Sequence, residues 1–339
     1  MNIQGEFLTR LNSEQKPILS IGSITSRCSE IKVYSNDVEI LQNLLQVQKT
    51  QDLSSLELEQ NHETKAVGHL RYEESDVVIP PQYDVEHQVM RISGPKSMFS
   101  KGRALYYAAD YMAECLSAPH TNSLIVHSAA VFSEKTGLSY LILGEKGSGK
   151  TTLSLRLCEE LGLHLIGNDL VRIGQQDDDL FTFEGSKWFD IRETATRADR
   201  YLGKYATLLA SGNFNAWNNK TRVLPDDIGI TTHSEKARID KILNIRIDPY
   251  QPYLTASSWE GIQRNLILHE KVGRHITGQA TPFQDDNGNY LGSLPAINLL
   301  ETTRVRDNIV MSMINKGITE LYGPNSESLA EWFKNEGIC

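Results

Sequence analysis

Clustered cysteines, basic runs and long apolar stretches are all missing from this sequence. Its four cysteines, Cys28, Cys115, Cys158 and Cys339, show neither the spacing of a metal site nor that of a disulfide framework. The formal net charge is −9 without any cluster of lysine or arginine, which argues against nucleic acid or an anionic membrane as the main partner. No apolar stretch approaches the length of about 18 residues that a membrane span needs. We therefore expect a soluble protein of the reducing cytoplasm.

Two motifs that would indicate metal chemistry are incomplete. The acidic segment that begins at Asp285 lacks glycine at the sixth position of a calcium loop, so a turn is the better interpretation. The segment that begins at His269 has Gly273 where a metalloprotease helix needs its second histidine. Three consecutive aspartates at 177–179 lie between two strand-like runs and are interpreted as a solvated hairpin tip.

One motif is complete, and it is a glycine-rich loop between a strand-like run and a helix. Residues 138–143 are apolar, and residues 152–161 place leucines four apart on one helical face. Gly162 follows, at a place where helix C-termini favour glycine. The intervening segment matches the phosphate-binding pattern G-x-x-x-x-G-K-[ST]. It reads Gly144, Glu145, Lys146, Gly147, Ser148, Gly149, Lys150 and Thr151, and Thr152 follows.

The residue types of this segment, called the glycine loop below (residues 144–151), suit a nucleotide phosphate. Its three glycines permit close approaches that a Cβ would block, so successive amide N–H groups can converge on the β-phosphate at the positive end of the helix. Lys150 offers a mobile cation to the β and γ oxygens, and Thr151 offers a hydroxyl to Mg²⁺. The loop therefore predicts ATP and Mg²⁺ as cofactors.

An acid follows the glycine loop on the next apolar run. Residues 163–173 are interpreted as a strand that starts directly after the loop's helix and carries Asn168 and Asp169. An acid on a buried strand beside such a loop is the expected position of a magnesium-organising residue or a base. An Asn-Asp pair is equally common in turns at strand ends. Because sheet pairing can bring this strand back towards the phosphates, we favour the functional interpretation of Asp169.

Four segments together resemble the catalytic domain of HPr kinase/phosphorylase and its shorter kinase-like relatives. They are His127-Ser-Ala-Ala-Val, the glycine loop, Gly167-Asn-Asp-Leu-Val and Asp190-Ile-Arg192, and the similarity spans roughly residues 121–335. The resemblance implies that Asp169 is the base that takes the proton from an acceptor hydroxyl and that His127 steadies or polarises it. It also implies that Asp190 helps to hold the metal and that Arg192 faces the phosphates.

Two departures from the family pattern change what the resemblance implies. The first Asp of the family's Asp-Asp pair is Asn168 here, so the metal site has one charge fewer and Asp169 has to serve Mg²⁺ as well as the acceptor. The bifunctional enzymes carry a glycine-rich continuation after the acidic-Ile-Arg segment, whereas this chain has Glu193. A negative charge there would repel an incoming phosphate, so we expect a forward kinase with little phosphate-driven dephosphorylation.

The sequence predicts two domains with a boundary near residue 120. Residues 1–120 are interpreted as a smaller mixed α/β domain of unknown role, and residues 121–339 as the α/β P-loop, HPr kinase-like catalytic domain. A helix is expected at about 102–116, ended by Pro119. Residues 123–132 are expected to form one strand that contains His127 and pairs with residues 138–143 as a hairpin.

The function expected from these observations is an ATP-dependent kinase with a hydroxyl acceptor. By resemblance the acceptor is a serine or threonine of a protein or peptide; a small-molecule alcohol and a regulatory module that binds nucleotide without transferring phosphate remain open. Signatures of other P-loop classes are missing: there is no Leu-Ser-Gly-Gly-Gln of transport ATPases, and Asn219-Lys-Thr-Arg is not the Asn-Lys-x-Asp of GTPases. A homo-oligomer is compatible with the sequence.

Overall fold

The chain has a mixed α/β fold that divides into two compact units. The computed structural model describes residues 20–26, 29–50, 66–209, 219–278, 282–297 and 299–337. The first unit comprises Met1–Leu124 and Gly273–Arg306, and the second comprises Ile125–Val272 and Asp307–Cys339. This division differs from the sequence-based one, because residues 273–306 belong to the first unit and not to the unit that contains the glycine loop.

Helices and strands are numbered along the chain. The strands are β1 (Ser20–Ser26), β2 (Ser29–Ser35), β3 (Ala66–Glu74), β4 (Ile79–Asp84), β5 (Val89–Gly94), β6 (Ser123–Val126), β7 (Ala129–Ser133), β8 (Leu138–Leu143), β9 (His164–Gly167), β10 (Val171–Gln176), β11 (Asp179–Gly185), β12 (Phe189–Arg192), β13 (Lys220–Val223), β14 (Ala237–Arg238), β15 (Lys241–Ile247), β16 (Thr255–Ser258), β17 (Pro282–Gln284), β18 (Tyr290–Ser293) and β19 (Thr319–Gly323). The α-helices are α1 (Val38–Thr50), α2 (Lys96–Phe99), α3 (Arg103–Thr121), α4 (Lys150–Leu161), α5 (Glu193–Ala198), α6 (Ile262–Gly273), α7 (Leu300–Lys316) and α8 (Ser326–Asn335). Residues Arg200–Leu208 and Asp226–Ile228 form 3₁₀ helices.

The first unit contains a five-stranded sheet covered by α1 and α3. The strand order is β1-β2-β3-β5-β4, with a parallel centre (β2, β3 and β5) and antiparallel edges. Alternation along β2 buries Ile31 and Val33. Helix α3 lies so close to the sheet that a Cβ on Gly68 would come within 2.8 Å of the side chains of Ile31 and Leu116. Glycine at position 68 therefore allows α3 to pack this close to the sheet.

The end of α3 corrects a sequence prediction. Pro119 was expected to end the helix, but α3 continues through it to Thr121, with Asn122 in the left-handed conformation. A proline has no N–H to donate to the carbonyl four residues earlier, which is that of Cys115. The hydroxyl of Thr302 donates to this carbonyl instead, at 2.7 Å. Because a distant hydroxyl satisfies the orphaned acceptor, the helix does not have to stop.

The second unit contains the strand that leads into the glycine loop. Its six-stranded sheet has the order β16-β19-β15-β8-β7-β9, in which β8, β15 and β19 run parallel. The predicted hairpin is confirmed, since β7 pairs antiparallel with β8. Helices α4 and α8 contact each other, and their buried side chains join those of β8, β15 and β19 in one core. The core includes Tyr140, Leu153, Leu157, Leu243, Leu321 and Phe333.

Two predicted strands are each broken into two shorter strands. The run 123–132 is interrupted at His127, so that β6 joins a four-stranded sheet (β14-β11-β10-β6) while β7 joins the six-stranded sheet. The run 163–173 is interrupted at residues 168–170 in the same way, between β9 and β10. Both chain segments therefore pass from one sheet to the other, and His127 and Asp169 lie at the two crossing points.

Several other sequence predictions are confirmed. The helix after the loop is α4, and Gly162 adopts the left-handed conformation and donates to the carbonyl of Leu157. Asp177 and Asp178 form the tip of the predicted hairpin between β10 and β11, and Asp179 begins β11. Cys115 and Cys158 are buried free thiols, whereas Cys28 and Cys339 lie outside the described residues. In the described part of the chain, no helix is both long and apolar enough to cross a membrane.

Candidate functional site

The glycine loop packs closely against strand β15, and this contact leaves no room for a Cβ at Gly144 or Gly149. Gly144 and Gly149 have φ values of 157° and 97°. A Cβ on Gly144 would lie 2.7 Å from the carbonyl oxygen of Ile245, and one on Gly149 would lie 2.4 Å from the Cδ1 of Ile247. The N–H of Ile247 donates to the carbonyl of Ser148 at 2.9 Å, which ties the loop to the strand. Gly147 also has a positive φ, of 86°.

Lys150, the first residue of α4, curls back over the loop. It is only 6% exposed, and its Nζ donates to the carbonyl oxygens of Gly144 at 3.0 Å and Glu145 at 3.1 Å. The ammonium therefore lies at the mouth of the loop, held by neutral carbonyl groups. An anion is a stronger partner for an ammonium than a carbonyl, so a phosphate oxygen could replace either bond.

The hydroxyl residues of the loop differ in exposure. Thr151 is partly exposed in the first turn of α4, whereas Thr152 is buried. The Oγ of Ser148 is buried and has no hydrogen-bond partner. Of these three residues, Thr151 alone has the exposure that the predicted Mg²⁺ ligand requires.

Asn168 is a buried structural residue. Its side chain accepts a hydrogen bond from the hydroxyl of Ser154 at 3.2 Å and donates to the carbonyl of Trp188 at 3.1 Å. Ser154 lies in α4, and its single hydroxyl proton is shared between Asn168 and the carbonyl oxygen of Thr151, 3.2 Å away. The amide therefore connects the β9–β10 crossing to the first turn of α4. Because both of its polar ends are used and the residue is fully buried, the position suits an amide better than an acid.

Asp169 projects from this crossing in a strained conformation. Its φ is 72°, a left-handed value that non-glycine residues rarely adopt. The carboxylate is 44% exposed, and its Oδ1 lies 3.4 Å from the Nε2 of His127 at the other crossing point. The structure thus brings together the predicted base and the predicted histidine, next to Asn168, whose side chain bonds Ser154 of α4. Backbone strain of this kind is concentrated at functional sites.

Asp190 is held by cations on the neighbouring strand. Its carboxylate accepts hydrogen bonds from Lys220 and, at 3.2 Å, from the Nε of Arg222, and the Arg222 guanidinium lies 4.5 Å from the centroid of the Trp188 ring. Burial alone would raise the pKa of Asp190, but the hydrogen bonds from Lys220 and Arg222 outweigh it, so the pKa lies below its ordinary value. Both oxygens have cationic partners, and these contacts stabilise the β12–β13 ribbon. A metal-binding role for Asp190 stays a prediction.

Arg192 and Glu193 lie where β12 gives way to α5. Arg192 is two residues from Asp190 and therefore lies on the same face of the ribbon. The Glu193 carboxylate accepts from Arg197 and, at 2.8 Å, from the side-chain amide of Asn219. Because Arg197 balances its charge, Glu193 is a weaker barrier to phosphate than its sequence position suggests. The predicted contact of Arg192 with phosphate and the predicted lack of phosphorolysis both stay predictions.

Sequence reasoning missed three residues that hold this site together. Ser154 and Ser186 both donate hydrogen bonds to Asn168. The Ser154 hydroxyl donates to the side-chain oxygen, and the Ser186 hydroxyl donates to the backbone carbonyl. Lys187 donates to the carbonyls of Ile166, Leu165 (3.3 Å) and His233 (2.6 Å), and burial lowers the pKa of Lys187 to about 8. Of these three residues, only Ser154 could have been identified from the sequence, because its hydroxyl comes three residues after Thr151 and therefore lies on the same face of the helix.

Comparisons with known proteins identify a partial structural likeness and no family. No protein-family model and no curated protein matches this chain. Among solved structures, the HPr(Ser) kinase/phosphatase from Coxiella burnetii is similar over 39% of this chain and 70% of its own, with 17% sequence identity and a TM-score of 0.23.

Proposed function

We propose that this protein is a kinase that uses ATP and Mg²⁺ to phosphorylate a hydroxyl group, and that its second unit is a P-loop, HPr kinase-like catalytic domain. The observation that carries the proposal is the link from α4 through Ser154 and Asn168 to Asp169. This link supports a location of the exposed Asp169 carboxylate near the helix that follows the glycine loop. A nucleotide phosphate in the loop and an acceptor hydroxyl at Asp169 would then be neighbours, as phosphoryl transfer requires.

The residues present fit a nucleotide and its metal ion. A loop in which a Cβ would collide with β15 leaves room for backbone N–H groups to converge, and the Lys150 ammonium already lies at its mouth. Among the residues that the structure describes, no three His, Cys, Asp or Glu side chains form a metal-binding group. Mg²⁺ keeps several waters and binds through substrate phosphates with one or two protein oxygens, and Thr151 and Asp169 would supply these.

The residues of the site divide the proposed reaction among them, and Asp169 serves both Mg²⁺ and the acceptor. Lys150 binds the β and γ oxygens, and Asp169 takes the proton as the acceptor oxygen forms a bond to the γ-phosphorus and the bond to the β-phosphate oxygen breaks. His127, 3.4 Å from the Asp169 carboxylate, fixes the direction of that carboxylate. Mg²⁺ would neutralise charge on the phosphates when bound.

The proposed acceptor is a serine or threonine of a protein or peptide. The exposure of the Asp169 carboxylate supports this choice, because a hydroxyl on a large molecule can approach it from solvent. Two cavities of the second unit, of about 260 and 400 Å³, are lined by other residues, including His233 in the first and Ser312 in the second. Neither includes Asp169 or the glycine loop. A small-molecule alcohol is the alternative acceptor.

Labelled ATP separates these functions. The purified protein is incubated with γ-labelled ATP, Mg²⁺ and either a serine- and threonine-containing peptide library or a panel of small alcohols, and the labelled products are identified by mass. Label on a peptide hydroxyl supports the proposal, and label on a small alcohol supports the alternative acceptor. Tight ATP binding without transfer to any acceptor would identify a regulatory nucleotide-binding module.

A further inference from the structure

A second lysine reaches the glycine loop from a distant part of the sequence. Lys271 lies in the last turn of α6, and its Nζ forms an ion pair with the carboxylate of Glu145, the second residue of the loop. The Lys271 side chain is only 13% exposed, whereas that of Glu145 is 76% exposed. The lysine therefore extends from the protein interior to the loop, and its partner faces solvent.

Glu145 connects this lysine to Lys150. Its backbone carbonyl accepts from the Nζ of Lys150 at 3.1 Å, and its carboxylate accepts from Lys271. Two ammonium groups thus meet at a single residue of the loop, one bound to the backbone and the other to the side chain. Of the two, only Lys150 belongs to the sequence motif.

The negative charge of Glu145 affects how the Lys271–Glu145 ion pair responds to a bound phosphate. A carboxylate beside a bound polyphosphate repels it, and the terminal phosphate carries the most negative charge near the loop. An ammonium that exchanges a carboxylate partner for a phosphate oxygen keeps a charge-assisted hydrogen bond in both states. The exposed Glu145 side chain can turn towards solvent when it loses its partner, whereas the buried stem of Lys271 keeps the ammonium at the loop.

We propose that Lys271 is a second phosphate-binding lysine, which leaves Glu145 for the terminal phosphate when ATP binds and so gives the site its preference for nucleoside triphosphates over diphosphates. This inference rests on the proposed function. Lys150 binds oxygens of both the β- and the γ-phosphate, whereas Lys271 binds the γ-phosphate alone, which only ATP has. Glu145 holds Lys271 in place in the empty site.

The test compares binding of Mg·ATP and Mg·ADP by calorimetry in the full-length protein. Lys271→Met is expected to weaken ATP binding about tenfold or more, the usual size for a lost hydrogen bond between charged groups, and to change ADP binding by less than about threefold. Arg264→Met is the matched control, because Arg264 lies on the same helix and pairs with Glu320 at 2.8 Å. It should leave the ratio of the two affinities unchanged. Lys271→Gln is measured in parallel, and circular dichroism confirms that each variant is folded.

The double variant Glu145→Gln/Lys271→Met separates phosphate binding from simple charge balance. If Lys271 binds phosphate, the double variant stays weaker for ATP than wild type, although the repulsive charge of Glu145 is gone. Recovery of ATP affinity in the double variant would show that the lysine only cancels the charge of Glu145, and an equal loss for ATP and ADP would show a structural role; either result overturns the inference. Wild-type protein that fails to bind Mg·ATP would contradict the proposed function as well, whereas a loss in Lys150→Met without one in Lys271→Met contradicts only the role of Lys271.

Discussion

At the scale of single residues, Asp169 is both the proposed base and a residue with a strained backbone conformation. A left-handed aspartate costs on the order of 1 kcal/mol relative to glycine, and the surroundings of Asp169 impose that conformation. The flanking Asn168 is fully buried with both ends of its amide bonded, so the backbone at 168–169 has no freedom to relax. The strained backbone thus falls at the residue proposed as the base.

Asp169→Asn tests the base without disturbing that conformation. Asparagine tolerates the left-handed region as well as aspartate does, so thermal stability should be unchanged. The rate of phosphoryl transfer should fall by about 10²-fold or more, since asparagine cannot accept the proton, while ATP binding persists. Asp178→Asn, at the exposed tip of the β10–β11 hairpin, serves as the control and should transfer at the wild-type rate. Equal rates for Asp169→Asn and wild type would assign the base to another residue.

At the scale of helices and strands, the sequence predicted continuous elements better than their interruptions. The strand, glycine loop and helix at 138–161 were predictable because their local signals agree. The breaks at His127 and Asn168 were not, because apolar residues on both sides conceal a change of sheet that only tertiary pairing reveals. Polar residues inside an apolar run were the one local signal. Pro119 likewise gave the wrong helix end because its compensation by Thr302 comes from residues far away in sequence.

The β12–β13 ribbon should make stability depend on acidic pH. The folded-state pKa of Asp190 lies below its ordinary value of about 3.9, so its ion pairs contribute their full stabilisation above about pH 5 and lose it as the pH falls through the folded-state pKa. Lys220 and Arg222 are partly exposed, which limits the contribution to about 1 kcal/mol.

Denaturant unfolding at pH 6 and pH 3 measures this contribution. Asp190→Asn should have a lower free energy of unfolding than wild type at pH 6, and this difference should be smaller at pH 3, which lies below the unfolded-state pKa of the carboxyl, so that part of the stabilisation is lost. If the difference in unfolding free energy between the two proteins is the same at pH 6 and at pH 3, the ion pairs do not stabilise the ribbon.

At the scale of the whole molecule, each unit is assembled from two separate stretches of chain. Residues 273–306 contribute buried side chains to the first unit, including Phe283, whose ring centroid lies 6.0 Å from that of Phe99. Their two ends are close together, because a Cβ on Gly273 would lie 3.0 Å from the Cδ of Arg306. No local pattern in the sequence marks this exchange, which is why a single boundary near residue 120 was expected.

The division predicts which fragment can fold alone. Residues 125–339 with 274–305 replaced by a short glycine linker should fold cooperatively and bind ATP, since the linker has only a small gap to span. The plain fragment 121–339 retains Phe283 and its neighbours without their partners and should aggregate. Calorimetric unfolding and size-exclusion chromatography distinguish the two. A well-folded plain fragment together with an unfolded linker fragment would contradict the division.

The rate of phosphoryl transfer by Lys150→Ala tests most directly the central claim, that the glycine loop is the nucleotide site of a kinase. Lys150 is the buried cation at the mouth of the glycine loop, and its loss should abolish transfer from γ-labelled ATP and weaken ATP binding, because the lysine contacts the phosphates in the ground state and in the transition state. Lys135→Ala, in the exposed turn between β7 and β8, is the matched control and should behave as wild type. Equal turnover by Lys150→Ala and wild type would contradict the account, because the glycine loop would then not be the nucleotide site.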